Sequence, residues 1–383
     1  MIASTDRKDT GLVALRRRLH AHPELSGEER QTAAFIAAEL RKLSPEVLLE
    51  GLGGTGVAAV FDGLQPGPVL LFRAELDALP IEEVNEFDHR SKYRKVSHKC
   101  GHDGHMAVLL GLARKVACKR PPRGRVIVLF QPAEETGEGA QQVLDDPRFG
   151  QLRPDYAVAF HNLPGYPMGA VVTRNGAFTA GVRSLIIRLR GKTSHAAEPE
   201  HGINPAPAIA ELLQMSDQLT QPDPARTDFQ LITPVHITMG EPAYGVSAGY
   251  GEVHLTVRCW TGERMEQLAG DLLSRIGTIT GKYGLDYDTE WTNVFRANFN
   301  DAGTVQIIRE AALRNGLLHL ERRVPLKWGE DFGAFTQRFK GAMFGLGAGE
   351  NTPALHNPDY DFPDELIGVG VELFDNIVRL LLN

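Results

Sequence analysis

Four short, uninterrupted apolar runs, at residues 57–61, 69–72, 126–130 and 157–160, constrain this chain more than any other feature of its sequence. Apolar residues without polar alternation mark strands buried on both faces, as in a sheet covered by helices. Helical stretches at 103–117 and 138–144 stand between the runs, and that alternation reads as α/β. Upstream, Leu12, Leu15 and Leu19 predict a helix that ends near His22-Pro23. Ser26-Gly27-Glu28-Glu29 reads as a capping box opening a second, amphipathic helix through Ala33, Ala34, Ile36, Ala37 and Leu40.

From about Ser184 the texture changes. A strand at 185–189, a helix at 206–219, strands at 231–239 and 252–259, a long helix at 263–283 and a strand at 286–291 follow in order. This β-α-β-β-α-β succession is a complete split βαβ unit. Helices at 305–315 and 365–382 and a short buried strand at 342–346 come after it. The expected architecture is an α/β catalytic domain with a mixed central sheet, residues 1–180 and 295–383, interrupted by a smaller ferredoxin-like α+β domain at 181–294.

Composition narrows the function classes. With 42% hydrophobic and 23% charged residues the chain is neither disordered nor collagen-like. A formal net charge of -7 carries no electrostatic footprint for nucleic acid or an anionic membrane. No apolar run approaches the roughly 18 residues of a membrane span. Residues 1–10 are polar and lack the apolar stretch of a signal peptide. Three cysteines make no disulfide framework, which predicts a reducing, cytoplasmic setting.

Two motifs point away from their usual meaning. Gly51-Leu52-Gly53-Gly54-Thr55-Gly56 has the glycines of a dinucleotide-binding turn, but a strand rather than a helix follows, so it reads as a plain turn. Gly245-Val246-Ser247-Ala248-Gly249 has the pattern of a serine-hydrolase nucleophile elbow, yet an alternating strand follows where a helix is required.

The chemistry gathers elsewhere. Residues 97–105 (Ser-His-Lys-Cys-Gly-His-Asp-Gly-His) pack one thiol and three imidazoles into a loop at the start of a helix. Cys100 and His102 lie on the same side of an extended segment, and thiolate with imidazole suits a zinc-like ion. The buried run 126–130 ends in Gln131-Pro132-Ala133-Glu134-Glu135, two adjacent carboxylates whose charge a metal can offset. Neighbours on an extended chain point opposite ways, so one carboxylate can ligate while the other meets a water. A third strand delivers His161-Asn162, and a late loop delivers His356 within Leu355-His356-Asn357-Pro358. Ligands of open α/β sheets gather at the carboxyl ends of strands.

With these residues the chain resembles the dinuclear metal amidohydrolases that include hippurate hydrolases, N-acetyldiaminopimelate deacetylases and auxin-conjugate hydrolases, related to aminoacylases and zinc carboxypeptidases. The resemblance runs from residues 19–25 (Leu-His-Ala-His-Pro-Glu-Leu) through Asp77-Ala78-Leu79-Pro80, 100–105 and 130–135. It continues with His161-Asn162, His195 within 191–205, Gly329-Glu330-Asp331-Phe332 and 355–358. It implies that Cys100, His102, Glu135, His161 and His356 hold two divalent ions per subunit (Zn, Mn, Co or Ni). Glu134 would be the general base, Asp77 a carboxylate that orients a ligand, and His195 an oxyanion donor, in cis or from a partner subunit. The inserted domain would serve as lid and as the surface of a homodimer or higher oligomer. The implied reaction cleaves a small N-acyl-amino acid to a carboxylate and a free amino acid, with a dipeptidase or carboxypeptidase reaction as the alternative and a serine hydrolase at Ser247 disfavoured.

The chemistry agrees with the residue types. Amide hydrolysis needs a nucleophilic water at neutral pH, and a metal lowers the pKa of bound water to about 7. A general acid–base carboxylate contributes about 10²–10⁴ in rate. Two departures from the family pattern stand out. Glu75 replaces an Asp two residues before Asp77, and residues 239–247 (Met-Gly-Glu-Pro-Ala-Tyr-Gly-Val-Ser) replace a stretch that carries an Asn near substrate. Asn300 and Arg258 are left as candidates for binding a substrate carboxylate. His20 and His22 read as helix-end residues, His98 and His105 as supports for ligands, and Cys118 and Cys259 as structural.

Overall fold

The computed structural model describes residues 10–383. Most of the polar opening segment, residues 1–9, lies outside the described residues. The chain begins with α1 (Thr10–Ala21), α2 (Arg30–Arg41), β1 (Val47–Leu52), β2 (Gly56–Asp62) and β3 (Val69–Glu75). It continues with α3 (His102–Cys118), β4 (Arg125–Gln131), α4 (Gly139–Asp145), β5 (Tyr156–Leu163), β6 (Val171–Thr173) and β7 (Gly176–Thr179). Then come β8 (Gly181–Arg190), β9 (Ser194–His195), α5 (Ala206–Leu219), β10 (Gln230–Met239), β11 (Val246–Ser247), β12 (Tyr250–Cys259), α6 (Gly262–Lys282) and β13 (Asp286–Phe295). The last part forms β14 (Asn298–Asn300), α7 (Ala302–Arg314), β15 (His319–Glu321), α8 (Gly333–Thr336), β16 (Lys340–Gly347) and α9 (Glu365–Leu382).

Two compact units result. One takes the chain up to Phe178 together with Asn298–Arg323 and Asp331–Asn383; the other takes Thr179–Ala297 and Val324–Glu330. The first is built on an eight-stranded mixed sheet in the order β1-β2-β4-β3-β5-β16-β6-β15. Its central strands β3, β4, β5 and β16 run parallel, so their carboxyl ends share one edge. Arg73 pairs with Leu129 on one side and Ala159 on the other. Glu75, Gln131 and His161, each two residues further on, therefore stand at one level. The apolar runs are buried because α1, α3, α7 and α9 pack over the sheet: Leu12, Leu15, Val108, Leu112, Ile308, Phe374 and Ile377 join Phe61, Phe72, Val128 and Phe160 in one core.

The second unit is a four-stranded antiparallel sheet, β10-β12-β8-β13, in ferredoxin-like order. Alternate residues Leu185, Ile187, Leu189, Val253, Leu255 and Val257 bury one face against Leu212, Met215, Leu268, Leu272 and Ile276 of α5 and α6.

The structure corrects several local expectations. The capping box does not form: α2 starts at Arg30, and its first-turn amides at Gln31 and Thr32 are capped by the Glu24 carboxylate at 3.2 and 2.8 Å. Strands β1, β6 and β15 were not expected; each is short or amphipathic, and pairing in the sheet decides it. The glycine-rich segment 51–56 is the expected turn: residues 53–55 join β1 to β2 in an antiparallel hairpin, with no helix to receive a pyrophosphate. Ser247 likewise forms no nucleophile elbow, as expected: it sits in β11 paired to β9, and its hydroxyl accepts from the Asn204 amide at 3.0 Å. His20 is not a helix-end cap but fully buried, and Cys118 is exposed. No helix among the described residues is long and apolar enough to cross a membrane.

Candidate metal centre

The shared edge of β3, β4 and β5 carries the site. Cys100 and Gly101 close the loop that opens α3, and Gly101 takes φ +95°, a left-handed conformation that glycine reaches without strain. A Cβ there would also lie 2.7 Å from the Asn162 amide oxygen. The turn thus lets Cys100 and His102 approach the end of β5, where the Cys100 Sγ lies 3.4 Å from His161 Nε2.

After β4 the chain turns sharply through Ala133, which holds φ 49°. A left-handed alanine persists only where its surroundings fix it. Here Glu29 does so. Its buried carboxylate accepts from the Ala133 amide at 2.8 Å, from the Gly27 amide at 2.8 Å and from the Thr55 hydroxyl at 2.7 Å. Gly139 is required in the same turn, because a Cβ there would lie 1.6 Å from the Pro132 carbonyl oxygen. Asp331 ties the far side, accepting from the Ala140 amide at 2.8 Å, Gln131 Nε2 at 2.8 Å and Arg73 Nη2 at 2.6 Å.

This turn sets Glu134 and Glu135 before His102, whose Nε2 is 3.8 Å from Glu134 Oε2 and 3.9 Å from Glu135 Oε1. Glu135 Oε2 lies 3.7 Å from Nε2 of His356, which arrives from the loop between β16 and α9. Among the described residues five sets of three ligand atoms gather within 4.8 Å of one another, and two of them contain Cys100: Cys100 with His102 and His161, and Cys100 with Glu135 and His356. Glu134 joins His102 and Glu135 in another, and the remaining two are Glu75 with His102 and His105, and Glu134 with Glu330 and Asp331.

The His102 and His161 imidazoles are oriented from behind. His102 Nδ1 lies 2.9 Å from the Asp77 carbonyl and 3.3 Å from Asp77 Oδ1, and His161 Nδ1 lies 2.9 Å from the Asn162 carbonyl. Protons placed on Nδ1 leave both Nε2 lone pairs facing the site, as metal-binding histidines require. Asp77 is fixed in turn by the Ser26 hydroxyl at 2.7 Å and the Glu135 amide at 2.9 Å.

The electrostatics favour a cation. Burial opposes charge on His102, but Glu75, Asp77 and Glu135 outweigh it and raise its pKa to about 10. Burial, then the Glu135 and Glu134 carboxylates, hold the Cys100 thiol well above its ordinary range. Burial, then His105, holds His161 well below the usual value, as a neutral imidazole. His102 Nε2 is buried without a hydrogen-bond partner among the described residues, an unusual condition for a polar atom. A divalent ion fits all of this: it satisfies Nε2, offsets the carboxylates and makes the thiolate the favoured form.

The chain matches the model of peptidase family M20/M25/M40 over residues 71–380. It belongs to that family. It is 30% identical over 366 residues to an N-acetyldiaminopimelate deacetylase of Anoxybacillus flavithermus, covering 96% of both chains. It is also 30% identical to an N-acetyl-L-cysteine deacetylase of Bacillus subtilis, over 97% of this chain and 88% of the relative. A dinuclear metal-binding peptidase of the M20 family from Bacillus subtilis superposes with a TM-score of 0.83 at 27% identity, covering 98% of each chain. This M20 chain is therefore a metal-dependent hydrolase.

Of the remaining residues singled out from the sequence of this M20 chain, His195 and Arg258 belong to the smaller unit and Asn300 and Glu75 to the larger. His195 is an exposed residue of β9 in the smaller unit, its Nδ1 accepting from the Ala197 amide at 3.1 Å. Arg258, on β12 of the same unit, donates to the Lys327 carbonyl at 2.9 Å and pairs with no carboxylate among the described residues. Asn300 is corrected: its side chain is buried and used up between β14 and β16, bonding Met343 N and O at 2.8 Å each and the Arg174 carbonyl at 3.0 Å. It is a structural clamp and is not carried further. Glu75, the departure from the family pattern, is buried between Arg73 and His105, with His105 Nδ1 at 2.6 Å. His105 Nε2 reaches the Asn162 amide oxygen at 2.5 Å, so the longer side chain joins a chain of buried groups behind the ligands.

Proposed function

We propose that this protein hydrolyses the amide bond of an N-acyl-amino acid, releasing a carboxylate and a free amino acid, with two divalent ions held by Cys100, His102, Glu135, His161 and His356. The observation that carries this reading is the pair of ligand triplets that share Cys100, with Glu134 beside them. When bound, the ions supply Lewis acidity to the scissile carbonyl and make a water acidic near neutral pH.

The chain's own residues do the rest. Glu134, through Oε2, takes the proton of the attacking water and returns it to the leaving nitrogen, the part of a general acid–base carboxylate. Asp77 holds His102 in the tautomer that presents Nε2. His195, from the smaller unit of this chain or of a second copy, is proposed to donate to the developing oxyanion, and Arg258 to receive the substrate carboxylate. The names of the two deacetylase relatives support a short acyl group on the amine of an amino acid. All three cysteines are free, which supports a reducing, cytoplasmic setting. The smaller unit is proposed as lid and self-association surface.

A panel of acetyl-, benzoyl-, indoleacetyl- and dipeptide substrates, read by release of free amine from metal-reconstituted protein, tests the proposal. Turnover on acyl-amino acids that vanishes on chelation and returns with metal is expected. Cleavage confined to dipeptides overturns the substrate class. Retained activity after metal stripping, lost with a serine-directed inhibitor, overturns the mechanism.

A further inference from the structure

His356 reaches the site from a loop without regular structure, at φ 66°, with 52% of its side chain exposed. Its own ring gives little to place it. The neighbouring backbone is instead fastened to one residue, Lys99, which directly precedes Cys100. The His356 amide donates to the Lys99 carbonyl at 2.8 Å, and the Lys99 ammonium donates to the Tyr360 carbonyl at 2.8 Å. Main chain and side chain of Lys99 thus grip the loop at both ends of a five-residue stretch, 356–360.

Lys99 is fully buried, so its charge needs a partner. Glu83 supplies it, with Oε1 2.6 Å from Lys99 Nζ. Glu83 is held by His20 Nε2 at 3.0 Å and by the Ser91 amide at 2.6 Å, and His20 Nδ1 lies 2.9 Å from Asp103 Oδ2. Arg16 donates to the same Asp103 oxygen at 2.6 Å and also pairs with Asp361. A buried chain of alternating charge therefore connects α1, the first turn of α3 and the His356 loop. None of these side chains belongs to either ligand triplet.

We propose that Lys99 is a positioning residue that holds the His356 loop against Cys100 and so sets the affinity of one metal position, that of Cys100, Glu135 and His356, without setting the other. This rests on the two-ion reading above. A ligand held on an ordered loop binds without first losing the loop's freedom, and loss of a supporting contact typically weakens metal binding by about 10–100-fold.

Calorimetric titration of the metal-stripped protein with Mn²⁺ alone tests this. Wild type is expected to take up two ions. In Lys99→Met one uptake step weakens by about 10–100-fold and the other is unchanged, the same asymmetry as in His356→Ala. Should Lys99→Met not fold, Glu83→Gln is read in the same way, with a smaller loss at the same step. Two unchanged steps, or equal weakening of both, overturns the clamp while leaving the two-ion reading intact. A wild type that takes up one ion and ignores His356→Ala overturns both.

Discussion

The Glu29 carboxylate offers the sharpest test of how the turn that carries Glu134 and Glu135 is built. In Glu29→Ala the buried Ala133 amide loses its acceptor, and water does not readily replace it at a residue that is 4% exposed. A buried donor left unsatisfied costs about 1–3 kcal/mol. At about 2–4 °C per kcal/mol for units of this size, a loss of roughly 2–12 °C in Tm follows. Glu29→Gln keeps an acceptor for the Ala133 and Gly27 amides, while the Thr55 hydroxyl can accept in place of donating. Burial raises the Glu29 pKa above its ordinary value, against the pull of its hydrogen bonds from Thr55 and the backbone. A carboxyl whose folded pKa is raised contributes stability that is full below its unfolded pKa and lost as pH rises through the folded one. The neutral amide escapes that loss. The Tm of Glu29→Gln minus that of wild type should therefore increase from pH 4 to pH 8. Thermal unfolding followed by circular dichroism at matched metal loading measures it, and a difference that is flat or falls with pH refutes the reasoning.

Three further outcomes are expected. Glu134→Gln should retain both ions by metal analysis yet lose turnover by about 10²–10⁴, and near-wild-type kcat removes Glu134 as base. Asp77→Asn should weaken metal binding by about 10–100-fold, since the group behind His102 loses its charge; unchanged affinity in a metal titration refutes that support. Ser247→Ala should leave kcat and KM unchanged, because its hydroxyl is engaged with Asn204 in a two-residue strand, and a large loss of kcat would revive a serine mechanism.

Much of this architecture was legible in the chain. The apolar runs at 57–61, 69–72, 126–130 and 157–160 all became strands of the main sheet, because burial on both faces leaves a strong local signal. The βαββαβ order likewise survived, since alternation in β8 and β12 reports a sheet with one covered face. The ligand-type residues stand out because their types are dense in short segments, 97–105, 134–135 and 161–162, with His356 in a late loop. What supports them could not. Glu29 looked like a helix-capping residue, yet it reaches 104 positions along the chain to Ala133. His20 looked like an ordinary helix-end histidine, but it bridges Asp103 and Glu83 in the interior. Asn300 looked like a substrate contact and is a strand clamp. Such roles depend on partners distant in sequence, and no local period or motif encodes them.

On the proposed function, hydrolysis runs on metal held by the Cys100-centred cluster. The most direct measurement is release of free amine from the acyl-amino acid that the substrate panel selects, by metal-stripped protein as Mn²⁺ is added back, with bound metal counted in parallel. Activity absent at zero metal and rising with occupancy toward two ions per chain is the predicted result. Full activity in the stripped protein, or in Cys100→Ala with no metal bound, would contradict the account.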